Sequence, residues 1–210
     1  MSEPILPGDR QHAPAADRNR DPILAVLQRI LPAAGTVLEV SSGTGQHAAY
    51  FAPRLAPRYW LPSDCSRAAL QSIAAWQQAQ PSPGLLPPIA LDAQADSWPV
   101  ETLALPQPIV AIVNINLLHI APWSVGLGLL AGAGRILPAG GLLYLYGPFQ
   151  VGGMMVPSNA SFDQMLRQRN PTWGVRALEE VLAAAQRQGL ALKEQVPMPA
   201  NNLSLILSRC

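Results

Sequence analysis

The chain has 210 residues, 49% hydrophobic and 13% charged, enough for one sizeable core and too short for two comfortable domains. Its formal net charge is +1 with Lys and Arg scattered along the chain, which excludes a disordered polyelectrolyte and argues against a nucleic-acid partner gripped mainly by its phosphates. Cys65 and Cys210 give neither a disulfide framework nor a zinc site, so no metal is expected.

The opening stretch MSEPILPGDRQHAPAADRNR lacks an apolar signal-peptide core, and residues 1–20 read as an N-terminal arm ordered only where it packs on a single domain spanning 21–210. The longest apolar runs, such as Ile109 to Ile120, are interrupted by Asn114 and Asn116 and are too short to cross a bilayer. A cytoplasmic protein with no membrane partner is the expectation. The oligomeric state is left open.

In chain order, Asp21-Pro22 reads as an N-cap with Pro at the first helical position, opening a helix through ILAVLQRIL. TVLEV is a short buried strand, followed by the turn SSGTG and a helix through QHAAYFAPRL. RYWLP is a second strand ending at Asp64, and SRAALQSIAAWQQAQ a helix stopped by Pro81, Pro83 and Gly84. LLPPIAL is a third strand shortened by its prolines; Asp92 to Pro108 has no clear period.

PIVAIVNIN is apolar on both faces, as a central parallel strand is. A helix from Pro122 to Leu137, a fifth strand GLLYLYGPF and an insertion at 148–170 with a short helix near Phe162 to Arg167 come next. Trp173 to Gln188 reads as a helix closed by Gly189, and LALKEQVPM and NNLSLILSR as two strands joined by a tight connection. Alternating strands and helices imply a mostly parallel α/β sheet with helices on both faces. The closing pair, lacking a crossover helix, must be antiparallel.

In such a sheet, ligands bind beyond the carboxyl ends of the strands where strand order reverses, which directs attention to the turn after the first strand. Gly43 and Gly45 allow a tight turn and close backbone approach, with the next helix N-terminus aimed at the same place. Asp64, ending the second strand, is placed to accept both hydroxyl protons of a ribose. Asp92, past the third strand, is placed for an adenine amino group. Glu39 either holds the turn through backbone N–H groups or reaches a ligand ammonium.

Glycines alone make an ordinary loop as readily as a cofactor turn. Gly43, Gly45 and Ala48 with Asp64 downstream also satisfy a dinucleotide fingerprint, so NAD is an alternative. Glu39 before the turn suits a cofactor with a positive charge and no pyrophosphate, and the αββ ending suits a methyltransferase sheet. Both favour S-adenosylmethionine.

The segments APAADRNRDPIL, VLEVSSGTGQHAAYFAPRL, NINLLHIAPW, GLLYLYGPF, PSNASFD, WGVRALE and MPANNLSLIL resemble the domain of unknown function 938 family, which includes the methyltransferase-like protein 26 group. The resemblance runs from about residue 13 to residue 209. It implies a Rossmann-like class I methyltransferase fold, a seven-stranded mostly parallel sheet with an antiparallel last strand in the order 3-2-1-4-5-7-6, and S-adenosylmethionine as cofactor. It supplies no substrate. Ser41 stands where the general methyltransferase pattern has its first glycine, so its backbone must be one that a Cβ tolerates. Glu39, Ser41, Gly43, Thr44, Gly45, Asp64, Asp92 and Asn114 are the expected cofactor residues.

The acceptor site is expected over the ends of the fourth and fifth strands. His119 is the one candidate base there with a near-neutral reference pKa, and Tyr146 ends the fifth strand. Arg18, Asn19, Asn116, Asn159, Asn201 and Asn202 are the expected substrate contacts, with Ser158 beside them. Each has a plain structural alternative: a packed histidine, an arginine tying down the arm, asparagines that make turns. The five tryptophans read mainly as core, with Trp123 the one nearest the pocket. The expectation is a methyltransferase acting on a small molecule; the alternatives are a cofactor-binding or regulatory module without turnover, and an NAD-dependent oxidoreductase.

Overall fold

The computed structural model describes residues 10–210. Residues 1–9 of the expected arm lie outside the described residues. Helix α1 (Pro14–Ile30) begins at Pro14 rather than at an Asp21 cap, and Pro22 lies inside it. An interior proline costs about 3 kcal/mol. Burial of Ile23, Leu24, Val26 and Leu27 on one face, at about 1.5–3 kcal/mol each, outweighs that cost and carries the helix through.

Strand β1 (Thr36–Val40), helix α2 (Gln46–Arg54), strand β2 (Tyr59–Asp64), helix α3 (Arg67–Ala79) and the two-residue strand β3 (Ile89–Ala90) follow as expected. Pro87 and Pro88 lack the N–H that a longer β3 would need. The ambiguous stretch contains one turn of 3₁₀ helix, Pro99–Glu101. Then come β4 (Ile109–Ile115), α4 (Trp123–Ile136) and β5 (Leu142–Gly147).

Departures from expectation cluster after β5. Pro148 breaks the expected strand, leaving β6 (Phe149–Gln150) to pair in parallel with β7 (Arg176–Ala177) in a second small sheet. Helix α5 (Pro157–Arg169) is longer than expected, because Pro157 at its first turn starts it and the Ser-Asn-Ala-Ser run is helical. Helix α6 (Leu178–Arg187) starts later than Trp173, since Asp163 accepts the Val175 N–H at 2.7 Å and the positive φ of Gly174, 148°, keeps this stretch out of the helix. Strands β8 (Leu190–Met198) and β9 (Asn202–Arg209) complete the chain, joined through Pro199–Asn201.

The main sheet has seven strands in the order β3-β2-β1-β4-β5-β9-β8, which is 3-2-1-4-5-7-6 when only its own strands are numbered. β1 and β2 are parallel, as are β2 and β3, while β9 runs antiparallel to both β5 and β8. The chain divides into two compact units: the described part of Met1–Asp92 with Trp98–Ala111, and Ala93–Ser97 with Ile112–Cys210.

The first unit packs β1, buried along its whole length, with Ile23, Leu27, Phe51 and Trp60; the last two meet edge-to-face at 5.4 Å. The second centres on Leu129, Tyr144, Val181 and Leu205, with the Tyr144 hydroxyl bonded to Ser204 Oγ at 2.6 Å. Among the described residues, no helix is long and apolar enough to cross a membrane.

Candidate functional site

In the first unit the turn Ser41–Gly45 leaves β1 and is bolted to β2. The Ser42 N–H donates to the Ser63 carbonyl at 2.8 Å, and the Ser63 hydroxyl to the Glu39 carbonyl at 2.8 Å. Ser41, Gly43 and Gly45 all have positive φ, at 59°, 56° and 86°. Ser41 therefore keeps a glycine-like left-handed backbone, in the small region that a Cβ permits.

The two glycines are required for different reasons. A Cβ on Gly45 would lie 2.7 Å from the Ile73 Cα of α3, so packing demands its absence. A Cβ on Gly43 would meet nothing within 4 Å, so the space over that glycine is open to a ligand.

Asp64 is buried at the end of β2, its Oδ2 accepting the Gly43 N–H at 3.0 Å and its Oδ1 the Ser66 N–H at 2.9 Å. The carboxylate thus clasps the turn, and each oxygen keeps a second lone pair for a ligand hydroxyl. The Leu91 N–H donates to the Asp64 carbonyl at 3.1 Å, which brings the exposed Asp92, just past β3, near Asp64. Between them Cys65 is exposed, its thiol pushed up by burial first and then by Asp64 and Asp92.

Glu39 is buried beneath the turn. Its Oε2 accepts the Trp60 indole N–H at 3.0 Å inside the core, and its carboxyl also hydrogen-bonds the side chain of Ser42 in the turn. Burial raises its pKa to about 7, against the lowering effects of Trp60 and Ser42 and with a further push from Asp64.

Thr44 is held by its carbonyl, which accepts the Ser72 hydroxyl at 2.7 Å. Gln46 Oε1 accepts from the Thr44 hydroxyl at 3.0 Å and from the Ala13 N–H at 2.6 Å. With Gln11 N–H on Ser72 and the Trp76 indole on the Gln11 carbonyl, residues 11–13 form a strap from the start of α2 to the middle of α3.

Asn19 pairs with a histidine of α2. It is buried, and its Oδ1 lies 2.8 Å from His47 Nε2, where burial lowers the imidazole to about 4. Arg18 is exposed on α1, which is held down by other groups, including Asp21 accepting the Tyr50 hydroxyl.

In the second unit Asn114 is buried in β4, and Asn116 (φ 67°) closes that strand by donating its N–H to the Tyr146 carbonyl at 2.9 Å. This joins the carboxyl ends of β4 and β5. His119 is buried, its ring edge-on to Phe162 at 5.4 Å, and its Nδ1 would lie 3.3 Å from a Cβ at Gly147. Burial, then the charge of Arg176, lowers its pKa to about 4, so it is a neutral imidazole at pH 7. Tyr146 is buried beside this junction.

Asn159 Nδ2 donates to the Asn201 carbonyl at 3.0 Å and Asn201 Nδ2 to Ser158 Oγ at 3.0 Å, tying α5 to the β8–β9 turn. Asn202 Nδ2 donates to the Pro199 carbonyl at 2.9 Å. Asn116, His119 and Tyr146 thus come together, as do Asn159, Asn201 and Asn202.

Arg176 was not among the expected residues. Its guanidinium donates to the carbonyls of Leu118 (2.9 Å), Ala121 (2.7 Å) and Thr172 (2.8 Å), clamping the loop that carries His119. Trp123 flanks it at 5.8 Å. Nothing in the segment WGVRAL marks this arginine, because its partners lie 55 and 58 residues away in sequence. Among the described residues, no group of three His, Cys, Asp or Glu is placed to hold a metal ion.

The sheet order, the glycine turn after β1 and the acid ending β2 together define a Rossmann-like methyltransferase fold. The chain belongs to the family described as protein of unknown function (DUF938), whose model matches residues 10–209.

Among solved structures, the chain is similar to the mitomycin 7-O-methyltransferase MmcR, at 12% identity and TM-score 0.74, covering 93% of this chain and 54% of that one. It is also similar to CalO1, a methyltransferase in calicheamicin biosynthesis solved with SAH bound, at 16% identity, TM-score 0.70, and 93% and 54% coverage. An O-methyltransferase family 2 protein from Planctomyces limnophilus, in complex with apigenin, matches at 19% identity, TM-score 0.71, and 91% and 62% coverage. The chain thus spans between 54% and 62% of the length of these three.

Proposed function

We propose that this chain is an S-adenosylmethionine-dependent methyltransferase acting on a small molecule. The observation that carries this reading is the pairing of Asp64 with the open space over Gly43. A buried carboxylate, oriented by two backbone N–H groups and retaining free lone pairs, suits a vicinal diol beside a turn whose glycine leaves room for it. The residues present therefore fit this cofactor.

Gly43, Thr44 and Gly45 would line its backbone side, Asp64 its ribose, Asp92 its base, and Ser41 the remaining edge. Glu39 acts from beneath the turn, through the core. When bound, the cofactor supplies an electrophilic methyl group on a sulfonium.

The second unit's residues bind and orient the acceptor: Asn116, His119 and Tyr146 from the ends of β4 and β5, Asn159, Asn201 and Asn202 from α5 and the β8–β9 turn. His119, neutral at pH 7, accepts an acceptor proton at Nε2 or Nδ1, and Arg176 fixes the loop that carries it. A base with a pKa near 4 gives little driving force, so the role of His119 is mainly orientation unless the acceptor is itself acidic.

That same weak basicity favours a second reading, a module that binds the cofactor without turnover. Calorimetric titration with S-adenosylmethionine, with an NADH arm, tests the class; the expected result is saturable heat with the sulfonium cofactor and at least a tenfold loss in Asp64→Asn. Absence of heat at millimolar cofactor overturns both readings. Labelled product from S-adenosylmethionine and a cell extract excludes the module without turnover.

A further inference from the structure

The second unit contains a groove of about 560 Å³ just beyond β5, between β6, α5 and the β8–β9 turn. Its walls are Phe149, Met154, Met155, Met198 and Leu203 with three asparagines, and they include no Lys, Arg, His, Asp or Glu. The volume falls in the range of small-molecule sites. A charged ligand entering it would give up hydration with no opposite charge to meet. Methionines, unbranched and polarisable, form walls that adapt to flat or irregular apolar surfaces.

The polar side of the groove is made of amides, and acceptor oxygens predominate in what they leave for a ligand. Asn159 Nδ2 and Asn202 Nδ2 both donate to backbone carbonyls, of Asn201 and Pro199. A carbonyl cannot donate, so the orientation of each amide is fixed with its Oδ1 on the opposite side. Each amide keeps its Oδ1 as an acceptor for a ligand; Asn202 Nδ2 is engaged by two carbonyls, of Pro199 and Ala200, and Asn159 Nδ2 retains one N–H. The ligand they suit brings O–H or N–H donors. Asn159 and Phe162 are three residues apart on α5 and so share a face, and Phe162 is the residue packed on the His119 ring.

We propose that this groove binds an uncharged, mainly apolar small molecule carrying hydroxyl or N–H donors, and that it is the acceptor subsite. The second clause rests on the methyltransferase reading above. The bound donor group lies on the asparagine side, toward the face of α5 that contacts His119.

The test uses the full chain and three probes of one shape, measured by calorimetry without cofactor: 2-naphthol, 2-methoxynaphthalene and 2-naphthoate. Cofactor binding is titrated separately. The expected order is 2-naphthol tightest, 2-methoxynaphthalene severalfold weaker for want of a donor, and 2-naphthoate at least tenfold weaker than 2-naphthol. Met154 is 76% exposed, so Met154→Glu folds normally. It is expected to weaken 2-naphthol at least tenfold and leave S-adenosylmethionine affinity unchanged.

Equal or tighter binding of 2-naphthoate, or no effect of Met154→Glu, overturns the assignment. So does light scattering that reveals a dimer dissociated by Met154→Glu, which would make the groove an interface. Cofactor heat with no 2-naphthol binding overturns the groove alone. Binding of 2-naphthol with no cofactor heat overturns the methyltransferase reading and leaves a neutral-ligand groove.

Discussion

The two units hold their functional loops by different means. In the first, the turn after β1 is fixed by its own backbone: positive φ at three alternate residues, and N–H groups of Gly43 and Ser66 gathered on Asp64. In the second, side chains reach main-chain carbonyls far along the sequence, Arg176 to Leu118 and Ala121, Asn159 to Asn201. A turn whose shape is set by its own φ angles presents its backbone groups in a fixed way, which suits a fixed ligand. Loops pinned by individual side chains can be re-pinned by substitution, which suits a variable one.

The largest expected effect comes from Gly45→Ala. The new Cβ meets Ile73 backbone in α3 at a φ of 86°, and neither helix can retreat without losing its packing. A loss of about 4 kcal/mol in urea unfolding is expected, from the clash and the strained backbone together. A loss under ~1 kcal/mol would mean that the turn yields and is not the rigid half of the comparison.

Arg176→Met tests the other half. It leaves buried carbonyls without donors and should cost about 3 kcal/mol. It also removes the second cause of the lowered His119 pKa, so an NMR titration of that ring should move up from about 4, though not to 6.5, because burial remains. Arg176→Lys keeps the charge without the fork of donors, so it should lose stability while the His119 titration stays low. Equal titrations in the two variants would separate the clamp from the electrostatics.

Glu39→Gln sharpens the comparison through pH. Burial raises Glu39 to about 7 in the fold from its ordinary value of 4.5, so folding takes up a proton between those values. The stability it contributes is full below pH 4.5 and is lost as pH rises through 7. His47 and His119 act in the opposite sense: both are lowered from 6.5 to about 4, so their contribution is full above pH 6.5 and is lost as pH falls toward 4. Glutamine keeps an acceptor for Trp60 and removes the charge. Its advantage over the natural chain should grow from pH 5 to pH 8, reaching on the order of 2 kcal/mol in denaturant titrations. An advantage independent of pH would sink this account.

The smallest stability effect belongs to Gly43→Ala, about 1 kcal/mol from its φ alone, since the new methyl meets nothing. Its effect on S-adenosylmethionine affinity should be far larger than that, at least tenfold in calorimetry. A fall in stability with unchanged affinity would remove Gly43 from the ligand space.

Most of the sheet was legible in the sequence. The apolar runs of β1, β4 and β5 and the spacing of α2, α3 and α4 carry their own periods, and the hairpin ending forces an antiparallel pair. The misses share one cause. Asp21-Pro22 has the local form of a helix start, but four buried apolar residues after it hold Pro22 inside a longer helix. The Ser-Asn-Ala-Ser run of α5 has loop composition, and its helix is secured by Asn159 and Leu166 facing inward. In both, packing overrides a local signal.

For the candidate site, the sequence by itself determined where the glycine turn lies, which acid ends β2, and that Asp92 follows β3. Those features depend on residues close in sequence and on strand alternation, which chain-local sterics fix. Only the tertiary structure decided that Asp64 clasps the turn by two N–H groups, that Asn19 is consumed by His47, that Glu39 serves Trp60, and that Arg176 steers the loop of His119. Such roles depend on which hydrogen-bonding groups remain unpaired after folding and on how much water each charge loses. Both quantities exist only once distant parts of the chain have closed on one another.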